Sequence, residues 1–211
     1  MAYDKVKSHG VTEGTPDNIL LGAGTIHKGL KYADGTGWNF DETIIGATSG
    51  GSKVTITPEF YDPEIDGVLV PTAGLKQKVG ETMSLETNMA ELTPEIIAMG
   101  VVGTIKESST VKGYSEVVSK ARIEEGDYVD DFAYVGTTIT GKPIIIVMEK
   151  ALCTSGLELE GKNKEASVTK LTMECHGKLT GDLQTLPYHI YYPSVAALNV
   201  KIASAPKKVT K

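Results

Sequence analysis

Three absences narrow the possibilities for this chain of 211 residues. Cysteine occurs only at Cys153 and Cys175, in no metal-ligand spacing, which argues against a disulfide scaffold or a structural zinc site. No run approaches the roughly 20 apolar residues of a membrane-spanning helix, and the polar start from Met1 to Asn18 lacks the apolar core of a signal peptide. We therefore expect a protein that is made and folded in a cytoplasm, has no membrane partner as an isolated subunit, and keeps both thiols reduced and buried.

Clusters of basic residues are equally scarce. The formal net charge is -6, and because residues 201–211 hold four lysines and no acidic residue, the rest of the chain carries -10. A body this acidic repels phosphate, whereas an ordinary nucleic-acid binder has the opposite sign. The length suits one domain with its own core. We expect a single domain over residues 18–197, a mobile N-terminal arm at 1–17 and a basic mobile C-terminal tail at 198–211.

Alternating apolar and polar residues predict two strands, from Ser52 to Phe60 and from Leu75 to Thr87, which can pair in antiparallel fashion. A period of two is typical of strands with one buried face. The apolar set that we expect to be buried is Val54, Ile56, Phe60, Leu75, Val79, Met83 and Leu85. The polar set that we expect to face a channel or solvent is Lys53, Thr55, Thr57, Glu59, Lys76, Lys78, Thr82, Ser84 and Glu86.

The connection between these strands, Tyr61 to Gly74, is far longer than the two to five residues that close a normal hairpin. It is rich in acidic residues, proline and glycine. Such a loop makes little sense inside a compact monomer, so we expect an arm that orders on a neighbouring molecule. Its candidate contact residues are Tyr61, Asp62, Pro63, Glu64, Ile65, Asp66, Val68, Leu69, Val70 and Pro71.

The remaining patterns predict more strands and one short helix. Thr93, followed by a proline and an acidic residue, is a good helix N-cap. Strands are predicted at 131–140 and 143–148, joined by a turn and forming the centre of the core, and further strands at 167–179 and 187–192. The fold class is thus mainly β: seven to nine strands in an antiparallel β-sandwich or flattened barrel with one flanking α-helix and the long inter-strand loop.

Several blocks in this chain share an order and spacing with one known family. They are Leu20–Ile26, Ile45–Gly51, Glu91–Ile96, Asp127–Gly136 with Gly141–Ile145 and Ala151–Leu152, and Lys164–Ala166 with Pro187–Tyr192. From about Ile19 to Tyr192 the sequence resembles the major tail tube proteins of long-tailed, siphovirus-type phages of Gram-positive hosts. The fold of that family is related to that of the type VI secretion tube protein. The pair Glu149-Lys150 and the basic extension after Leu198 depart from that pattern.

The resemblance implies a non-enzymatic structural subunit of the virion tail, without a cofactor, made in the host bacterial cytoplasm. Six subunits would form a ring whose lumen is a continuous β-barrel, and the long loop would reach a neighbouring ring. The implied partners are other copies, the tape measure protein, the tail terminator and the distal tail or baseplate proteins. DNA would pass without specific binding, and the acidic body agrees, because a wall without basic clusters offers phosphates nothing to bind.

Two other functions stay open at this point. One is a tube protein of a contractile injection system or type VI-like apparatus, which shares the architecture but pairs with a sheath. The other is a small hydrolase or metal-dependent enzyme on a β-sandwich, because fold alone does not exclude function.

The motifs that an enzyme or a ligand site would need are weak. The glycines at Gly22–Gly24 and Gly46–Gly51 lack the Lys-Ser/Thr ending of a phosphate-binding loop. Cys175 and His176, with His27 and His189 as possible partners, suggest a thiol or metal site, but neighbouring strand residues point to opposite faces. Two acidic groups, Asp62-Glu64-Asp66 and Glu124-Glu125-Asp127-Asp130-Asp131, are better explained as solvated loops and turns than as cation sites.

Overall fold

The structure, a computed structural model, describes residues 9–161, 163–164 and 166–193. Residues 1–8 of the predicted N-terminal arm at 1–17 lie outside the described residues, and the predicted tail at 198–211 lies wholly outside them. Within the described part Asp17 is anchored, because its carboxylate pairs with Lys142 at 2.9 Å.

The described residues are mainly β, as predicted. The strands are β1 (Leu20–His27), β2 (Tyr32–Ala33), β3 (Gly37–Trp38), β4 (Thr48–Tyr61), β5 (Gln77–Met89), β6 (Gly103–Glu107), β7 (Ser115–Ser119), β8 (Val129–Thr138), β9 (Pro143–Cys153), β10 (Thr169–Cys175) and β11 (Tyr188–Tyr191). The helices are α1 (Thr15–Asn18), α2 (Phe40–Thr43) and α3 (Pro94–Val101). Only α3 is longer than about one turn, and it corresponds to the single flanking helix that we expected. The short helices α1 and α2 were not predicted from the sequence.

One antiparallel sheet of seven strands dominates the fold, in the order β1-β8-β9-β10-β5-β4, with β11 paired to β9. It curls into a half-barrel, which agrees in its main features with the expected mainly β fold with few helices. The curl brings the two sheet edges together at one end. There Ile45 donates its N–H to the Ile26 carbonyl at 3.1 Å, and Lys28 donates to the Thr43 carbonyl at 2.9 Å.

The core lies on both faces of the β8–β9 hairpin, which confirms the prediction that this hairpin is its centre. The main cluster contains Phe132 and Met148, both fully buried, together with side chains from β5, β10 and α3. The opposite face carries a smaller cluster in which Ile145 and Val147 pack under Trp38. Successive strand residues point to opposite faces, so an apolar run on β9 fills both clusters.

Both strands of this hairpin switch faces at the same level. Phe132 and Met148 face the main core on one side of the switch, and Val129 and Ala151 face it on the other. Val129 and Phe132 are three positions apart on β8, and Met148 and Ala151 are three positions apart on β9. Residues on one face of a regular strand are instead an even number of positions apart. Asp131, at the switch, has a φ of 48° in the left-handed region. At this level β9 changes its other partner from β11 to β10.

Helix α3 confirms the predicted N-cap. The Thr93 hydroxyl oxygen accepts a hydrogen bond from the backbone N–H of Ile96 at 3.3 Å, which satisfies one of the free donors of the first turn. Ile96 is fully buried against the main cluster. The helix ends at Val102, whose φ of 50° turns the chain into the β6–β7 hairpin, an element that we did not predict.

Candidate assembly surfaces

The predicted polar face exists over the central part of the β4–β5 ladder. The two strands pair in antiparallel register, as predicted, with Lys53 opposite Glu86, Thr55 opposite Ser84, and Thr57 opposite Thr82. Directly opposite residues share a face of the sheet. Val54 and Ile56 point the other way and pack against the main core. The same polar face continues onto β10, where Thr172 lies opposite Glu86. That this face lines a channel stays a prediction.

Charges on this face are paired with one another. Lys170 contacts Glu86 at 2.6 Å and Lys53 contacts the same carboxylate at 3.8 Å. The hydrogen bond from Lys170, aided by its charge, lowers the pKa of Glu86 below its ordinary range. Further along the sheet, Lys150 contacts Asp130 at 2.7 Å. These lysines therefore present a largely compensated surface to an approaching polyanion.

A bulge corrects the prediction for the far end of the ladder. Glu59 pairs with Gly80 but Phe60 pairs with Lys78, so Val79 is an extra residue on β5. The extra residue moves Lys78 to the side opposite the polar set, where it contacts Glu81 at 2.7 Å. Assignment of Lys78 to the polar face is therefore wrong.

The apolar residues around the bulge correct a second prediction. Phe60 and Val79, both expected in the core, are 56% and 61% exposed. The reason is that β10 ends at Cys175, before this part of the ladder begins, so among the described residues no third strand pairs with it. Lys76, expected on a strand, precedes β5 and reaches over the Phe60 ring at 5.6 Å.

The segment Pro58–Glu81, which we call the arm, comprises the far ends of β4 and β5 and the loop between them. The loop is closed at its base by an ion pair between Lys76 and Asp62 at 3.0 Å. All but two of the ten predicted contact residues are large apolar or acidic side chains, and most are open to solvent. The exposed apolar residues of the arm, with their exposed fractions, are Phe60 56%, Tyr61 56%, Ile65 48%, Val68 46%, Leu69 96%, Val70 68% and Val79 61%.

The outer edge of β4 is the second candidate surface. In the part of the chain that the structure describes, β4 ends the strand order, and no strand pairs with its outer side. Such an edge is a template for another strand, and natural proteins protect it with lysine or proline. Lys53 and Pro58 are the devices present here.

At the closed end of the half-barrel, His27 ties the two edges together. Its Nδ1 lies 2.9 Å from the Thr43 hydroxyl and its Nε2 lies 2.8 Å from the Thr25 hydroxyl. The side chain is almost fully buried, and burial lowers the pKa of the imidazole. This histidine was noted in the sequence only as a possible partner of Cys175, and its two threonine contacts give it a structural role instead.

The thiol and histidine residues do not form a catalytic arrangement. Cys175 is buried in the main core, and burial, with a smaller contribution from Glu149, raises the pKa of its thiol to about 11. The His176 ring packs edge-on against Tyr128. His189 is held by Glu149 at 3.1 Å. A thiol with so high a pKa is a poor nucleophile at neutral pH.

The acidic turn around Asp127 is neutralised by lysines. Lys120 contacts Asp127 at 2.7 Å and Glu124 at 3.0 Å, and these hydrogen bonds lower the pKa of Asp127 and raise that of Lys120. Among the described residues, no group of three or more histidine, cysteine or acidic side chains is placed to hold a metal ion. The described helices include none that is long and apolar enough to cross a membrane.

The glycine-rich segments lie in strand settings. Gly22 and Gly24 fall where the β1–β8 register shifts, and Gly50 and Gly51 where the β4–β5 register shifts. All four have positive φ, which explains glycine at these irregularities. A side chain at Gly24 would also collide with the Tyr134 ring.

A groove of about 690 Å³ lies between α3, β6 and the start of β8. Its charged lining includes the Lys120–Asp127 pair and Glu95, and its floor is formed by apolar residues such as Met99 and Val102. The described residues that line the groove include no serine, cysteine or histidine nucleophile.

Neither a known protein family nor a curated protein matches this chain.

Proposed function

We propose that this protein is the structural subunit of a phage tail tube, which assembles into stacked rings, most simply hexameric, around the passage through which DNA leaves the particle. The observation that carries the proposal is the arm, a projecting hairpin that exposes seven large apolar side chains. Four of them, Ile65, Val68, Leu69 and Val70, line one depression, and apolar residues clustered at a surface mark contacts with other molecules. A two-stranded ribbon is also marginal by itself, so a partner that covers the arm stabilises it.

The position of the arm favours stacking. Strand β5 runs from the arm at Gln77 to Met89, and α3 follows from Pro94. Thirteen strand residues span about 43 Å at 3.3 Å each, so the arm and α3 lie at opposite ends of the sheet. A contact between one end of a copy and the other end of the next is heterologous, and a heterologous contact repeats without closing on itself along the axis.

The open edge of β4 and the polar face supply the other two requirements of a tube. Joining copies side by side covers strand edges that would otherwise aggregate, as closure of a barrel does. The self-paired lysines on the polar face leave little free positive charge for phosphates, which suits DNA that must slide. On this proposal the partners are other copies, the tape measure protein, the tail terminator and the distal tail or baseplate proteins, and the location is the virion tail.

The test is assembly of the purified protein as a function of concentration, by sedimentation velocity and negative-stain electron microscopy. We expect rings or tubes from the wild type. The double variant Leu69→Asp with Val70→Asp should stay monomeric and melt like the wild type, because both side chains are exposed. A matched control is Leu179→Asp with Val111→Asp, which places the same charges at residues that are 87% and 52% exposed outside the arm.

The control should assemble normally. A wild type that stays monomeric at every concentration, or an arm variant that assembles as well as the control, would contradict the proposal.

A further inference from the structure

We propose that the tip of the arm in one copy, residues 65–70, docks into the groove between α3, β6 and the start of β8 in another copy. The inference rests on the proposed function, in which the arm makes the stacking contact, and it names the surface that receives the arm. The occupant of the groove is therefore a second copy of this chain.

The tip of the arm supplies apolar side chains that are open to solvent. Leu69 and Val70 are 96% and 68% exposed, and they line one depression together with Ile65 and Val68. Burial of such side chains against another apolar surface removes them from water, which favours association.

The groove offers an apolar floor of matching character. Met99 and Val102 lie in the floor, and Ile105, which is 38% exposed, lines the groove from β6. Concave sites of about 300 to 1,000 Å³ with apolar residues in the lining are typical of pockets that bury an apolar group. The volume of this groove, about 690 Å³, lies in that range.

Most charged groups that line the groove are already compensated within the molecule. Lys120 contacts Asp127 at 2.7 Å, and Lys150 contacts Asp130 at 2.7 Å. Glu95 lies in the first turn of α3, where the helix dipole favours a negative charge. These groups therefore add little net attraction for a charged partner.

Lys28 is the exception, because it lines the groove and has no carboxylate partner among the described residues. In the arm, Glu64 and Asp66 flank Ile65 and have no basic partner in the part of the chain that the structure describes. Docking of the tip brings these two carboxylates to the side of the groove that holds Lys28. Complementary charges of this kind favour one orientation of the docked partner.

The positions of the two surfaces exclude docking within one molecule. The arm and α3 lie at opposite ends of the sheet, about 43 Å apart along β5. Each copy therefore offers its arm to one neighbour and its groove to another. This contact is heterologous, and it repeats along an axis as stacked rings require.

The first experiment uses the full chain with Leu69→Cys and Ile105→Cys together, oxidised at the concentration at which the wild type assembles. A disulfide needs Cα atoms within about 7 Å of each other, so it forms only where the tip meets the groove. The matched control is Leu69→Cys with Val118→Cys, because Val118 lies on the paired strand β7, is 40% exposed and does not line the groove. The native Cys153 and Cys175 are buried in both proteins.

We expect a ladder of covalent dimers, trimers and higher species on a denaturing gel without reductant, at least fivefold more abundant than in the control. A mixture of the two single variants, Leu69→Cys and Ile105→Cys, should stop at dimers. Equal cross-linking of the Val118 control overturns the inference, because the tip would then meet this region without selecting the groove.

The second experiment compares Ile105→Asp with Val118→Asp by sedimentation velocity, with thermal melts to check that both are folded. We expect Ile105→Asp to raise the concentration needed for assembly at least tenfold, while Val118→Asp assembles like the wild type. Normal assembly of Ile105→Asp, with no ladder from the paired cysteines, overturns this inference and leaves the proposed function intact. If the wild type forms no rings or tubes but the paired cysteines give the ladder, the proposed function fails and the docking site stands.

Discussion

The two halves of the β4–β5 ladder have the same alternating sequence pattern and opposite environments. In the half beside β10, Met83 and Leu85 are 2% and 1% exposed. In the half beyond the end of β10, Phe60 and Val79 are more than half exposed although both were expected in the core. Alternation indicates which residues share a face of a strand, but it does not indicate whether anything covers that face. Whether a strand face is buried depends on neighbouring strands that are distant in the sequence.

The largest expected effect is the loss of stability when a charge replaces a fully buried residue. Val147→Asp, or Ile145→Asp, should unfold the protein, because both residues are buried in the smaller core cluster. An unpaired charge in an apolar interior costs several kcal/mol, against a total stability of about 5 to 15 kcal/mol. Circular dichroism melts of the purified variants provide the measurement.

The same substitution in the arm serves as the control. Leu69→Asp should leave the melting temperature within about 2 °C of the wild type, because the side chain is 96% exposed and the change corresponds to less than about 0.5 kcal/mol. A Val147→Asp protein that melts like the wild type would show that the smaller cluster does not contribute to the stability of the fold.

A second pair of variants makes the comparison along a single strand. Leu85→Ala should destabilise the protein by about 2 to 5 kcal/mol, the usual cost of truncating a buried leucine. Val79→Ala, six residues earlier on β5, should change stability by no more than about 0.5 kcal/mol, because its side chain is already in water. Urea denaturation of both variants checks this, and equal losses would mean that the arm is covered in solution.

Much of the fold was predictable because local signals coincide with it. Alternation predicted the antiparallel pairing of β4 with β5, and the strand predicted at 167–179 contains β10. The N-cap signal at Thr93 predicted the start of α3. These features depend on residues close in sequence, and a strand period or a capping residue is sufficient to identify them.

Other features depend on how distant segments meet. The bulge at Val79 moves Lys78 to the other face, and no turn residue marks it apart from the neighbouring Gly80. The curl of the sheet, the short hairpins and the contact of His27 with Thr43 arise from packing between segments that are separated in sequence. The role of the surfaces is even harder to predict from the sequence, because the sequence pattern of a strand edge is the same whether or not another molecule pairs with it.

The closed and open ends of the half-barrel should also differ in their response to pH. Burial lowers the pKa of His27, so the unfolded state binds a proton more readily than the folded state below its ordinary value of about 6.5. Stability is therefore fully present above that value and is lost as the pH falls through it toward the lower folded-state pKa. We expect the unfolding free energy to decrease between pH 7.5 and 5.5.

The matched variant is His27→Gln, which keeps a hydrogen-bonding side chain without the titration. Its unfolding free energy, measured by urea denaturation at the same pH values, should vary less than that of the wild type. Equal pH dependence of the two proteins would mean that His27 does not account for the change. An open-end control is Lys53→Gln, on the unpaired edge strand, which should retain the wild-type dependence.

The smallest expected effect on folding concerns the loop of the arm, and there the effect on assembly should be complete. Replacing Pro63 to Thr72 with a short Gly/Ser turn removes exposed residues and leaves both core clusters unchanged. Loop-closure entropy changes by only about 0.6 kcal/mol for each doubling of loop length, so thermal melts should nearly coincide with those of the wild type. Electron micrographs should show no tubes, because the apolar contacts of the loop are made between molecules. Normal tubes from the shortened protein would mean that the loop is not an assembly element, and the stacking mechanism proposed from the position of the arm would have to be abandoned.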